Sequence, residues 1–89
     1  MKIFKYSIPL KDEFTLMLPK DAEILSFQSQ LNDLFIWVCV NENAELVKRW
    51  FILRGTGHEL DIPRIQLNYI DTAQMNGGNL VWHLFEDIT

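Results

Sequence analysis

The chain has 89 residues, of which 48% are hydrophobic and 12% aromatic, so we expect one folded domain over residues 1–89. Its net charge of −4, with eight Lys and Arg spread along the chain, argues against direct nucleic-acid binding, because wrapping a phosphate backbone needs clustered cations. A single cysteine, Cys39, excludes an intrachain disulfide. With no leader and no long apolar run, the sequence predicts a cytoplasmic protein without membrane contact.

Hydrophobic residues recur at every second position in the first half of the chain, which is typical of β-strands. The first two predicted strands, Phe4–Ile8 and Phe14–Leu18, are each followed by a proline. A predicted hairpin follows, with arms Ile24–Gln30 and Leu34–Val40 around Leu31-Asn32-Asp33. The strand Leu34–Val40 is apolar on both faces, which is typical of a central strand, so we expect a layer or a partner over each face.

The second half of the chain contains one ambiguous segment. Leu46–Arg54 fits helical spacing, but its residue types favour a strand, which we predict, leaving open a short helical turn over Glu45–Arg49. Two more strands are predicted, Gln66–Met75 and Leu80–Phe85, joined by a turn at Asn76-Gly77-Gly78-Asn79. About seven strands predict an all-β fold, with one short helix as an option. The expected architecture is a small antiparallel β-sandwich or a partly open barrel.

Standard catalytic and cofactor motifs are absent from the sequence. Cys39 is a formal candidate for a nucleophile, with His58 or His83 as its base, but it lies in the most apolar strand, where a thiol usually packs inertly. His83 is expected to be a hydrogen-bonded strand histidine, because no metal-ligand spacing surrounds it. We therefore expect a protein that is not an enzyme and that holds neither a metal nor a cofactor.

The most suggestive ligand site is the segment from Arg54 to His58. Gly55 and Gly57 let backbone N–H groups approach an anion, and Thr56 adds a hydroxyl. His58 can donate to a phosphate, and Arg54 supplies positive charge. The segment suits a phosphate-bearing small molecule. The alternative is a β-turn that uses its glycines only for geometry.

The three tryptophans are Trp37, Trp50 and Trp82. Aromatic residues are enriched at protein interfaces, so the three are candidates for an aromatic binding face. The alternative is that they belong to the core of a small β domain. A domain of this size buries only about two thirds of its surface on folding, so a homo-oligomer also stays open.

Several short pieces, in this order and spacing, carry a family resemblance: Ile8-Pro9 with Phe14-Thr15-Leu16 and Leu18-Pro19, Ala22 to Ser26, Gly55 to His58, and Gly78 with Leu80 to Glu86. Together they resemble a family of small proteins of unknown function that are found mostly in bacteriophages and prophages. No residue inherits a role from that family. The resemblance implies a setting in which small phage accessory proteins act by stoichiometric binding.

Three hypotheses of function follow. The first is a non-enzymatic phage-type accessory protein that inhibits a host protein or defence complex by binding it through a strand edge or an aromatic face. The second is a sponge that sequesters a phosphate-bearing nucleotide signalling molecule through Arg54 to His58. The third is a structural subunit of a particle.

Overall fold

Seven β-strands form the computed structural model, which describes residues 1–89. Their bounds are β1 (Lys2–Ile8), β2 (Glu13–Pro19), β3 (Glu23–Gln30), β4 (Asp33–Val40), β5 (Leu46–Gly55), β6 (Leu67–Met75) and β7 (Leu80–Asp87). Single 3-10 turns at Arg64–Gln66 and Asn76–Gly78 are the only helical segments. The predicted all-β fold is therefore confirmed.

The strands form two antiparallel sheets. The three-stranded sheet has the order β1-β4-β3, and the four-stranded sheet has the order β2-β5-β7-β6. Strand β5 starts at Leu46, which pairs with Pro19 of β2, so the helical turn considered over Glu45–Arg49 does not form. The backbone at the start of β5 pairs with β2, so its polar groups are not available for the hydrogen bonds of a helical turn.

The core lies between the sheets and is organised by one side of β4. Leu34, Ile36, Val38 and Val40 alternate along the strand, and each is at most 2% exposed. They belong to one buried cluster with residues of β5 and β7, including Phe51, Leu53 and Leu84. Burial of each such side chain contributes about 1.5–3 kcal/mol, so this row is a main source of the stability of the domain.

The other side of β4 is uncovered. Phe35, Trp37 and Cys39 are only half-buried, and no strand or helical turn packs over them. The central position predicted for Leu34–Val40 is confirmed. Of the predicted cover, a layer or a partner over each face, the chain supplies a layer on one face only. The reason is that the chain supplies just two sheets, so each has one inner side and one outer side.

The sandwich is closed along one side by side chains from β3 and β6. The Asp71 carboxylate accepts from the Phe27 N–H at 3.3 Å, and the Ser29 hydroxyl donates to the Gln74 carbonyl at 2.5 Å. No ladder of backbone hydrogen bonds joins these two strands. The opposite side, where β1 and β2 are the edge strands, has no such bridge, so the sandwich does not close into a barrel.

An ion pair within the four-stranded sheet also holds the segment that leads to the other sheet. Arg49 on β5 donates to both carboxylate oxygens of Glu86 on β7, at 2.6 and 2.7 Å, and to the Ala22 carbonyl at 2.7 Å. Ala22 lies on the segment that leads from the four-stranded sheet to the three-stranded one. The hydrogen bond with Glu86 raises the pKa of Arg49 against the opposing effect of burial, so the guanidinium stays charged.

The outer side of the four-stranded sheet is partly covered by the segment between β5 and β6. Leu60 and Ile62 of that segment pack on a small buried cluster of Ile52, Leu67 and Phe85. This second, minor core explains why a stretch without strands keeps a fixed path over the sheet. It also positions the turn that follows β5.

The β3–β4 hairpin turns through Leu31 and Asn32, whose φ angles are 51° and 67°. A leucine in this left-handed region costs roughly 1–2 kcal/mol, and Leu31 is 95% exposed, so packing does not offset the cost. We expect Leu31→Asn to stabilise the protein by about 1 kcal/mol in urea unfolding, because asparagine tolerates this conformation. Leu31→Ala is the matched control, since it removes the exposed side chain and keeps the strained backbone. An equal gain in the alanine variant would contradict the backbone explanation.

Candidate functional site

The turn Gly55-Thr56-Gly57-His58 ends β5 beside the start of β7. The His58 N–H donates to the Gly55 carbonyl at 3.0 Å, which closes the turn. Gly57 has a φ of 89°, a conformation that glycine adopts without steric cost. The Gly55 N–H donates to Nδ1 of His58 at 3.2 Å. The histidine therefore folds back on its own turn.

The His58 ring fills the space above Gly55. A Cβ on Gly55 would lie 2.9 Å from Cε1 of His58, so a larger residue there would displace the ring. On its other side the ring meets Trp82 edge-on, with centroids 6.2 Å apart. Gly55 is thus required by the packing of His58 against Trp82.

Thr56 connects the turn to a chain of hydrogen bonds across the outer side of the four-stranded sheet. Its N–H donates to the Val81 carbonyl, and its hydroxyl bonds Nε2 of His83 at 2.7 Å. Nδ1 of His83 bonds the Thr72 hydroxyl at 3.0 Å, and that hydroxyl also bonds Tyr69. Both ring nitrogens of His83 are occupied, so it is the hydrogen-bonded strand histidine that its sequence context predicts.

Arg54 is held by the protein itself. Its guanidinium donates to three carbonyl oxygens, those of Asp12, Leu53 and Glu59, and to the Asp61 carboxylate at 3.0 Å. The Arg54 side chain is only 11% exposed, and its hydrogen bond lowers the pKa of Asp61. The guanidinium therefore fastens the segment after β5 to the sheet and presents little free charge to solvent.

A hollow of about 310 Å³ lies beside the turn, lined by Gly55, Thr56, His58 and residues 79–82. The Trp82 indole nitrogen is buried there without an acceptor. Of the four amides of the turn, only that of Gly57 has no acceptor within the protein. Three of the five residues predicted as a ligand site thus line a hollow, whereas Arg54 and Gly57 do not, and most of the hydrogen-bond donors of the segment already have partners.

The three tryptophans lie on three different surfaces. Trp37 is on the outer side of β4, Trp50 is half-exposed on the outer side of β5, and Trp82 packs against His58. Trp50 borders a separate open hollow of about 540 Å³ between β2 and β5. The structure therefore does not bring the three together as one aromatic face.

A different apolar surface is formed by neighbours of Trp37. Register places Ile3 beside Cys39, and Phe35 meets Trp37 edge-on at 6.2 Å. We call the set Ile3, Phe35, Trp37 and Cys39 the outer aromatic face. Sequence reasoning missed Ile3 and Phe35 as site residues. The two-sided apolar pattern of the β4 sequence was a signal for Phe35, whereas Ile3 joins the face only through the pairing of β1 with β4.

One cation lies within the outer aromatic face. The Lys5 ammonium is 4.6 Å from the centre of the Phe35 ring and donates to the Gln30 side-chain carbonyl at 2.9 Å. It has no carboxylate partner within 4 Å, whereas Lys2 at the same strand pairs with Glu42 at 3.0 Å. The outer aromatic face thus carries a lysine without a carboxylate partner on its β1 side, whereas Glu23 of β3 lies opposite Cys39 on its other side.

Metal-type clusters and membrane helices are not found in the structure. No group of three or more His, Cys, Asp or Glu side chains is placed to hold a metal ion. None of the helical segments has the length and apolarity needed to cross a membrane.

Residues 1–89 match the family model of the domain of unknown function DUF7352. The chain belongs to this family. No curated protein and no solved structure matches it. In this DUF7352 domain, two of the segments that carry the sequence resemblance, Gly55 to His58 and Leu80 to Glu86, meet in space at the hollow beside the turn.

The contact between Gly55 and His58 can be tested in the DUF7352 domain by a double-mutant cycle. Gly55→Ala and His58→Ala are each expected to lower the free energy of unfolding by about 1 kcal/mol. The double variant should lose no more than the larger single loss, because both changes break the same contact. Leu18→Ala, a buried residue that pairs with Val47 at the opposite end of β5, is the control, and its loss should add to that of His58→Ala. Additive losses for Gly55 and His58 would contradict the packing described.

Proposed function

We propose that this protein is a non-enzymatic binding protein that docks on a partner protein through the outer aromatic face. The observation that carries the proposal is the uncovered side of the central strand, where Phe35 and Trp37 stand half-exposed beside Ile3, itself 61% exposed. In a two-sheet sandwich the outward positions are ordinarily polar. Contiguous outward aromatic residues mark interaction surfaces.

The charge of the face specifies the chemistry of the partner. Lys5 lies on the β1 side of the face, over the Phe35 ring and without a carboxylate partner, in a chain whose net charge is −4. A partner surface with an acidic side chain surrounded by apolar ones would pair with Lys5 and cover Phe35 and Trp37. Such complementarity selects the partner and speeds association.

The sequence resembles phage and prophage proteins, and this resemblance supports a bacterial host as the source of the partner. We propose that the partner is a host protein or a host defence complex in the bacterial cytoplasm and that stoichiometric binding inhibits it. A binding role needs no catalytic group. Cys39, His58 and His83 lie apart: Cys39 faces outward on the three-stranded sheet, and both histidines have internal partners on the other.

The test compares two tryptophans on opposite sheets. Tagged wild-type protein and the variants Trp37→Thr and Trp50→Thr are used to capture proteins from bacterial lysate, and the captured protein is then purified and titrated by calorimetry. Removing a central aromatic side chain from an interface costs 2 kcal/mol or more, about a thirtyfold loss of affinity. We expect this loss for Trp37→Thr and near wild-type binding for Trp50→Thr, with both variants folded by circular dichroism.

Two results would overturn the proposal. One is a partner whose affinity falls for Trp50→Thr and not for Trp37→Thr. The other is that the folded wild-type protein captures no specific partner from the lysate of its bacterial host.

A second candidate function is favoured by the hollow beside the turn. The Trp82 indole N–H has no acceptor but is shielded from solvent, and the free Gly57 N–H lies in the turn next to the hollow. A phosphate-bearing nucleotide that displaces the shielding atoms would satisfy both donors. It is the weaker candidate, because Arg54 and three of the four turn amides are already bonded.

Calorimetry against cyclic dinucleotides and ADP-ribose tests this second candidate. If one of them is the ligand, Trp82→Phe, which keeps the ring and removes the donor, should weaken its binding about tenfold. Absence of heat with every nucleotide would exclude the hollow as their site.

A further inference from the structure

The sandwich has four strand edges, and two of them are closed. Strands β3 and β6 lie against each other and are joined through Asp71 to the Phe27 amide and through Ser29 to the Gln74 carbonyl. Each also contains an irregularity in its register, after Ile24 in β3 and after Tyr69 in β6. Bridges and bulges of this kind keep further strands from pairing. The remaining edges are β1 and β2.

Strand β1 has a regular and unprotected edge. All seven of its residues pair in continuous register with β4, with no bulge and no proline, whereas β2 ends in Pro19. Lysines usually protect an edge by pointing into solvent. Here Lys2 turns back to Glu42, and Lys5 turns back over the Phe35 ring.

The two sheets also differ in width at the open side. Three strands face four, and inward-pointing apolar side chains of the edge strands stay uncovered there. Phe4 of β1 is 36% exposed, and Tyr6 is only half-buried. On β2, Phe14 and Leu16 are likewise half-buried. One strand added beside β1 would make the sheets equal in number and would cover Phe4 and Tyr6.

We propose that the β1 edge receives an extended segment of the partner protein as a fourth strand of the three-stranded sheet. This inference rests on the proposed protein-binding function and specifies how the partner attaches. Main-chain hydrogen bonds to β1 hold the segment, and alternate side chains give specificity. A carboxylate beside Lys5 on the outer side and apolar residues beside Phe4 and Tyr6 on the inner side are the matching pattern.

A second copy of the chain fits this edge less well. Full antiparallel pairing of two β1 strands is centred on Lys5 and sets it directly opposite its counterpart. Like charges in directly opposed positions destabilise a sheet. Charge complementarity therefore favours an acidic, alternating segment from another protein.

The probe for the test is the synthetic peptide acetyl-Thr-Val-Glu-Val-Glu-Val-Thr-amide, added to the full-length protein. Amide chemical shifts should change mainly along Lys2–Ile8 and not along Glu13–Pro19. Two further peptides test which edge of the peptide pairs. One carries N-methyl groups on its glutamates and the other on its valines, so each lacks the N–H donors of one edge. One of these should bind at least about tenfold more weakly and the other nearly as well.

Charge exchange provides the matched control. Lys5→Glu should weaken the peptide about tenfold, and a peptide with lysines in place of the glutamates should restore binding to that variant. Lys48→Glu, an exposed lysine on β5, should leave binding unchanged. Rescue by the exchanged peptide shows that the charge acts by contact and not through folding.

Other outcomes overturn the inference. These are no binding at millimolar peptide, shifts confined to β2 or to Gly55–His58, equal binding of both N-methylated peptides, or a concentration-dependent dimer whose chemical-shift changes lie along Lys2–Ile8. The proposed protein-binding function is tested separately, with the partner captured from lysate. If Trp37→Thr loses that partner and Lys5→Glu keeps it, the outer aromatic face binds it without an added strand.

Discussion

The contact between the inner row of β4 and the central strands of the opposite sheet sets the rest of the structure. Leu34, Ile36, Val38 and Val40 reach across to Phe51, Leu53 and Leu84, and this contact fixes which side of every strand is inside. Since side chains alternate, burying this row forces Phe35 and Trp37 outward. The outward position of these two aromatic residues therefore follows from the fact that the sandwich has only two sheets. A partner that covers it would supply the missing layer.

Much of the fold could be predicted because period-two alternation and turn residues are local signals. The strand from Leu46 was correct despite its helical spacing, since large apolar residues beside a glycine outweighed the period. The pairing of β1 with β4 and of β2 with β5 could not be predicted, because alternation does not name the neighbouring strand. The Arg49–Glu86 pair was missed for the same reason, as 37 residues separate its members.

The predicted ligand segment shows where residue types mislead. Arginine, glycines and a histidine in sequence suggest an anion site, but their chemistry is satisfied internally once β7 and the segment after β5 are in place. The Arg54 guanidinium donates to the Asp61 carboxylate and to three carbonyl oxygens, and Nδ1 of His58 accepts from the Gly55 N–H. Only the Gly57 amide and the neighbouring Trp82 indole keep donors without an acceptor. By contrast, the two-sided apolar pattern of β4 pointed to Phe35 and Trp37, whose outer surfaces no other part of the protein covers.

The strand order has a consequence for how the chain folds. Only β3–β4 and β6–β7 are hairpins of consecutive strands, and every other pairing must close a long stretch of intervening chain. Domains dominated by such distant pairings fold on the order of milliseconds to seconds. Strand β1 is synthesised before its partner β4 and cannot pair until β4 has formed. Until then this segment, with Ile3 and Phe4, is an apolar stretch without a partner strand.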